Sequence, residues 1–270
     1  MKLEIISKVH ADASARESIL LIHGACMGAW VWEDNFLPYF YEKGFNVYAM
    51  SFRNHGNSES NAQLRWLSIE EYVDDLKKVI NELQGPIHLI GHSMGGFTIQ
   101  HYLQDPSPKI KSTTLLCSVP NHGLWRLIGN LVFHYPLFFL QSVLTFSWLP
   151  VLKNYKRLKK VMFRLDMPAD KMKIYAAKLQ EESFLVFLQM VLLKLPKVVK
   201  SKVPMLIIGG EKDFLIPASD TSKMARKFNT EPFIIKNASH CLMLEQGWEM
   251  VADQIARFVS HELVDDVRMD

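Results

Sequence analysis

Cysteine is scarce, with 3 in 270 residues. Cys26, Cys117 and Cys241 are odd in number and lack metal-ligand spacing, which excludes a disulfide framework and points to a reducing compartment. A strong charge of either sign is also missing. The formal net charge is +3, too small to indicate a nucleic-acid-binding surface. The start, MKLEIISKVHAD, interrupts its short apolar run with Glu4 and has no small-residue cleavage site. It does not read as a signal peptide, and a cytoplasmic location is the expectation. No internal repeat or low-complexity tract is visible. Apolar residues make up 49% and charged residues 22%, near the mean for globular proteins, which excludes wholesale disorder.

What is present is a series of short apolar runs: LEIISKV (3–9), ILLIH (19–23), FNVYAM (45–50), IHLIG (87–91), STTLLC (112–117), PMLIIGG (204–210) and PFIIKN (232–237). Several are continuously hydrophobic, as strands are when helices cover both faces of their sheet. Helical patterns separate most of them, so the order reads as a mostly parallel α/β sheet. The first two runs, joined by the polar ADASARES, read as a hairpin. The clearest helix starts at Ser68, where Glu71 completes a capping box. Ile69, Tyr72, Val73, Leu76, Val79, Ile80 and Leu83 form its apolar face, with Glu70, Asp74, Asp75, Lys77 and Lys78 expected on the outside.

From 121 to 200 the strand pattern stops. This segment holds 13 Lys or Arg against 4 Asp or Glu, a net of +9, so it reads as a distinct helical unit. Leu127 to Leu152 carries no formal charge. A membrane-spanning helix needs about 20 apolar residues, but Pro136 and Pro150, with Asn130, His134, Gln141 and Ser142, predict two or three shorter helices instead. The basic stretch KNYKRLKKVMFR follows, which gives peripheral contact with an anionic membrane as a second expectation beside a solvated basic face.

Between a strand pattern and a helical one lies GHSMGG (91–96). It fits the G-x-S-x-G elbow, a strained turn that presents a serine hydroxyl. A serine needs a base within reach, usually a histidine held by a carboxylate, in the chain order Ser, acid, His for this architecture. Asp213 follows the strand PMLIIGG, and His240 follows the strand PFIIKN. Both therefore fall at carboxyl ends of strands, where open α/β sheets build their sites. The catalytic candidates are Ser93, Asp213 and His240. Asp220 reads as a helix-start residue and His92 as structural. Negative charge on the substrate oxygen needs N–H donors. Met94, following the serine, is one; Ala25, in the loop after ILLIH, is the other, with Cys26 its nearest competitor.

Taken together, HGACMGAWVWE, SFRNHGNSE, GHSMGG, GEKDFLIP and ASHCLMLEQ resemble the α/β-hydrolase superfamily over nearly the whole chain. Asn54 stands where many relatives have Gly, and Ser51 where many have Asp. The resemblance implies a mostly parallel, twisted sheet of about eight strands flanked by helices. It further implies a core from 1–120 and 201–270 and an inserted helical cap or lid over 121–200. It also implies a serine hydrolase of carboxylic esters that works through an acyl-enzyme and requires no metal or organic cofactor. The cap's Phe133, Tyr135, Phe138, Phe139, Phe146 and Trp148 supply far more apolar surface than an acetyl group uses. An esterase or lipase for lipophilic acyl esters is therefore expected, of monoacylglycerol or lysophospholipid type, with small methyl esters next. C–C hydrolase or lyase chemistry with the same three residues, or a ligand-binding receptor, remain the alternatives.

Overall fold

A computed structural model describes the chain except residues 60–62, 148, 150, 151, 153, 154, 165, 199–202 and 261–270. Each apolar run forms a strand: β1 (Ile5–Lys8), β2 (Ser18–Ile22), β3 (Asn46–Met50), β4 (Ile87–His92), β5 (Ile110–Leu116), β6 (Met205–Gly210) and β7 (Pro232–Ile235). They make one seven-stranded sheet among the described residues, in the order β1-β3-β2-β4-β5-β6-β7. That is one strand fewer than the round figure of eight. All neighbours are parallel except β1 and β3.

The expected hairpin does not form. β1 pairs antiparallel with β3, Ile5 opposite Met50 and Lys8 opposite Val47, and β2 lies on the far side of β3. Burial explains the choice. All five residues of β2 are buried and need a strand on each side, whereas β1 ends in two exposed residues and suits an edge.

Side chains of β2 alternate between two cores. Ile19 and Leu21 face α1 (Phe36–Glu42) and the C-terminal helix Trp248–Val259, while Leu20 and Ile22 face α2 (Ile69–Glu82) and α3 (Met94–Tyr102). The capping box of α2 is present, with Glu71 accepting the Ser68 N–H at 2.8 Å. Its apolar face is buried as the periodicity predicts, but Asp75 is not outside. It is buried against Arg53, whose Nη2 lies 2.7 Å from Oδ1 and whose backbone N–H donates to Oδ2 at 2.9 Å. A guanidinium arriving from a distant loop makes burial of that carboxylate tolerable, which helical periodicity alone does not reveal.

Between β5 and β6 the chain is helical: α4 (Trp125–His134), α5 (Pro136–Thr145), α6 (Tyr155–Met162), α7 (Ala169–Lys178) and α8 (Phe184–Leu188), the last continuing into a π-turn at Gln189–Leu193. Pro136 begins α5, and the chain bends by 114° between Trp125–His134 and Phe139–Thr145. Among the described residues no single helix is long and apolar enough to cross a membrane, although this bent pair has the combined length and composition. α9 (Ala218–Lys227) and α10 (Trp248–Val259) complete the fold.

Removing one partner of a buried ion pair costs about 3–5 kcal/mol, because the other charge is left uncompensated. Arg53 keeps Glu71 at 3.3 Å as a second partner, so Asp75→Ala is expected to lower unfolding stability by about 1.5–3 kcal/mol in a urea titration, the range for a hydrogen bond to a charged group. A loss below about 0.5 kcal/mol, typical of exposed positions, would contradict the buried pairing.

Candidate functional site

Ser93 sits where β4 turns into α3, with φ +51° and ψ −114°, a backbone conformation that ordinary residues avoid. Its N–H is held by the Leu116 carbonyl at 3.0 Å and its carbonyl accepts from Phe97 and Val119 at 3.1 and 3.2 Å. The flanking glycines allow the close approach this turn demands. A Cβ on Gly95 would stand 2.5 Å from the Ile22 carbonyl oxygen, and one on Gly91 would stand 2.7 Å from the Gly95 carbonyl carbon. Only hydrogen fits at either place. The serine is thereby held at the N-terminus of α3, where first-turn N–H groups and the helix dipole favour negative charge.

Asp213 and His240 arrive from the ends of β6 and β7. His240 Nδ1 lies 2.8 Å from Asp213 Oδ2, and both side chains are buried. The other carboxylate oxygen of Asp213 accepts the Leu215 and Ile216 N–H groups, each at 2.9 Å. This carboxylate is thus fixed on both oxygens, and it fixes the imidazole. The Nε2 of His240 is buried without a hydrogen bond, and His240 and Ser93 line the same cavity. The three candidates drawn from distant parts of the chain are brought to one place. His92 is buried beside His240, ring centroids 4.7 Å apart, with Nε2 3.1 Å from the His240 carbonyl. Burial, then the neighbouring His240, pushes its pKa well down, so it donates as a neutral ring and props the loop.

Ala25 and Cys26 both border the cavity. The Cys26 N–H is engaged by a residue that sequence reasoning missed. Glu182, buried between α7 and α8, accepts the Cys26 N–H on Oε2 at 3.1 Å. It also accepts the Tyr72 hydroxyl and Ser183 N–H on Oε1, each at 2.7 Å, and His55 Nε2 stands 3.1 Å from Oε2. Burial alone would raise this carboxyl, but His55 and these hydrogen bonds outweigh it and hold Glu182 at about 2. Cys26 has φ +64°. Behind it, His23 donates from Nδ1 to the Gly24 carbonyl at 2.7 Å and accepts the Phe52 N–H on Nε2 at 3.1 Å, and burial followed by the charge of His55 lowers its pKa to about 3.

The departures at 51 and 54 have local explanations. Asn54 has φ +62°, the left-handed region that glycine suits best and asparagine tolerates. Ser51 Oγ accepts the Ala29 N–H at 2.8 Å and donates to Glu4, tying the loop after β3 to the loop after β2. Asp220 is more than a helix-start residue, since it is buried among Arg126, His122 and Lys223. Burial pushes the thiols of Cys26, Cys117 and Cys241 well above their ordinary range, so none is a ready thiolate. Cys117, Asp213 and His240 have potential ligand atoms within 4.8 Å of one another. Nδ1 of that histidine is already bonded to Asp213.

The cavity above Ser93 has a volume of about 140 Å3 and is lined largely by aliphatic side chains, among them Leu124, Leu127, Leu131, Val161 and Met190. Among the described residues, the aromatic candidates Phe133, Tyr135, Phe139 and Phe146 are not part of this lining. Phe133 is 84% exposed, because it follows Leu131 by two residues and so lies on the opposite face of α4. Phe146 packs against Trp66 and Phe184, and Phe139 is partly buried against the apolar cluster that includes Leu127 and Leu131. Trp148 and the side chain of Phe138 lie outside the described residues.

Fold and site define a class, and comparison with known proteins agrees: residues 19–254 match the model of the alpha/beta hydrolase family, to which the chain belongs. Among its relatives is a probable lysophospholipase L2 of Haemophilus influenzae, 25% identical over 97% of this chain and 88% of the relative. Polyneuridine aldehyde esterase of Rauvolfia serpentina is 26% identical over 42% of this chain and 44% of its own. The crystal structure of Paleococcus ferrophilus monoacylglycerol lipase shares the fold, with a TM-score of 0.69, 18% identity, and coverage of 97% of this chain and 100% of that one.

Glu245 links this site to the α6–α7 connection, accepting the Ser239 N–H on one oxygen and the Arg164 N–H on the other at 2.9 and 2.8 Å. Burial raises its pKa to about 7 against these hydrogen bonds. The folded protein therefore holds a proton between about pH 4.5 and 7 that the unfolded chain has released, so this group's contribution to stability declines as pH rises through that window. Melting temperatures of wild type and Glu245→Gln should show the wild-type advantage shrinking from pH 5 to pH 8, by at most about 1.4 kcal/mol per pH unit. A constant or growing advantage would contradict the raised pKa.

Proposed function

We propose that this carboxylic ester hydrolase uses Ser93 as nucleophile, His240 as general base and acid, and Asp213 to hold the imidazole, on esters with lipophilic acyl chains. The observation that carries the reading is the 2.8 Å bond from His240 Nδ1 to Asp213, which leaves Nε2 as the ring's acceptor beside Ser93. In the first half-reaction Ser93 Oγ adds to the ester carbonyl while its proton passes to His240 Nε2. The tetrahedral oxygen takes hydrogen bonds from the Ala25 and Met94 N–H groups, Cys26 being engaged elsewhere. Collapse breaks the bond to the alcohol, which leaves with the proton from His240. Water then adds to the acyl-enzyme by the same route in reverse, releasing acid and free Ser93.

Residues 121–200 act as a cap whose inner face receives the acyl chain. A dry cavity of about 150 Å3 accommodates a benzene molecule, so the space above Ser93 suits a chain of about six carbons. Each buried CH2 contributes about 0.8 kcal/mol, close to fourfold in transition-state affinity. Across p-nitrophenyl acetate, butyrate, hexanoate and decanoate, kcat/KM should rise by up to about fourfold per CH2 as far as hexanoate and then level, and Ser93→Ala should abolish turnover. Preference for acetate would refute the lipophilic substrate class. Unchanged turnover in Ser93→Ala would refute the nucleophile, and no turnover of any ester by the wild type would favour a lyase or receptor.

The cap also offers a surface to an anionic membrane. Phe133, Leu137, Leu140 and Leu144 are between 52 and 84% exposed on α4 and α5, and Lys156, Arg157, Lys159 and Lys160 lie on the adjacent α6. Vesicles of phosphatidylcholine with phosphatidylserine should carry the protein upward on flotation, less so in high salt, with Phe133→Ser/Leu137→Ser reducing binding severalfold. Absence of flotation at low salt would retire this contact.

A further inference from the structure

The buried carboxylate of Glu182 serves no step of the chemistry above, yet it borders the cavity beside the loop that supplies an oxyanion donor. The cap segment grips Cys26 through the peptides on both sides of its Cα: the Gln180 N–H donates to the Cys26 carbonyl at 3.0 Å, and the Cys26 N–H donates to Glu182 at 3.1 Å. Gln180 also reaches the loop after β3, its Oε1 accepting the Gly56 N–H at 2.6 Å. Glu182 is itself held by Tyr72 of α2 and by His55. A left-handed cysteine is a strained position that persists only where its surroundings over-determine it. Neutral contacts would leave that peptide freer to rotate, and an ionised acceptor gives a stronger hold.

We propose that Glu182 is a positioning residue for the oxyanion hole: by fixing the Ala25–Cys26 peptide on one side of Ala25, as His23 fixes the Gly24 carbonyl on the other, it keeps the Ala25 N–H aimed at the substrate oxygen. The idea rests on the ester-hydrolase reading, in which Ala25 is a donor. It makes the seating of the cap on this loop a condition of full activity, because the donor loop is held by a residue of the inserted helical segment as well as by His23 at the end of β2. Removal of an oxyanion donor costs about a hundred- to a thousandfold in kcat, and loosening one costs part of that. A donor that acts chiefly in the transition state changes kcat and leaves substrate binding nearly intact.

The test compares wild type, Ser93→Ala, Glu182→Gln and Glu182→Asp by steady-state hydrolysis of p-nitrophenyl butyrate and by inhibition with phenylboronic acid, whose adduct with a serine places an oxygen in the hole. Glu182→Gln should lower kcat roughly ten- to hundredfold with KM within about twofold, and boronate affinity should fall in parallel. Glu182→Asp keeps the charge but withdraws the carboxylate, and should show the same pattern. Wild-type kcat and boronate affinity in either folded variant would overturn the proposal, as would a loss confined to KM. Failure of both variants to show a cooperative thermal transition would assign the carboxylate a purely structural role and overturn it too. An inactive wild type, or an active Ser93→Ala, would instead refute the ester-hydrolase reading itself.

Discussion

The site depends on one steric constraint: the first turn of α3 lies against the ends of β2 and β4 so closely that no side-chain carbon fits at Gly91 or Gly95. That contact forces the single residue between strand and helix into a positive φ, and the residue there is Ser93. The strain is local and is sustained by the packing of two buried elements on one face of the sheet. Its consequence is chemical. A hydroxyl is held at the positive end of a helix, at the carboxyl edge of the sheet, where the loops after β6 and β7 bring a carboxylate and an imidazole.

Around that point the electrostatics are divided between two carboxylates with different tasks. Asp213 is saturated by two backbone N–H groups and one imidazole, which leaves the ring a single orientation. Glu182 is saturated by Cys26, Tyr72, Ser183 and His55, and it ties the helical insertion to the loops after β2 and β3. Neither is exposed, and Glu182 stays ionised at neutral pH because its hydrogen bonds and His55 replace the water it has lost. The cavity at Ser93 is otherwise nearly all apolar, so charge developing there meets few competing dipoles.

Much of this was legible in the residues themselves. Seven apolar runs became seven strands because continuous hydrophobicity requires two covered faces, and GHSMGG, Asp213 and His240 fell where strand ends converge. Pairing order was not legible: adjacency in sequence favoured a hairpin of β1 with β2, while the need to bury both edges of β2 placed β3 between them. Asp75 read as an outward residue because nothing local announces Arg53. Glu182 was missed for the same reason, since its partners come from residues 26, 55 and 72 and share no spacing with it. In the aromatic-rich insertion, aromatic count indicated apolar surface, whereas helical phase decides which side chains meet the cavity, and at α4 those are Leu124, Leu127 and Leu131.

The central claim is that Ser93 becomes covalently acylated with help from His240. Treatment with a fluorophosphonate, followed by peptide mass spectrometry, tests it most directly. The account predicts one phosphonyl adduct, on the hydroxyl of Ser93, formed far more slowly in His240→Ala. An adduct elsewhere that inactivates the enzyme while Ser93 stays unmodified, or equal labelling of Ser93 with and without His240, would contradict it.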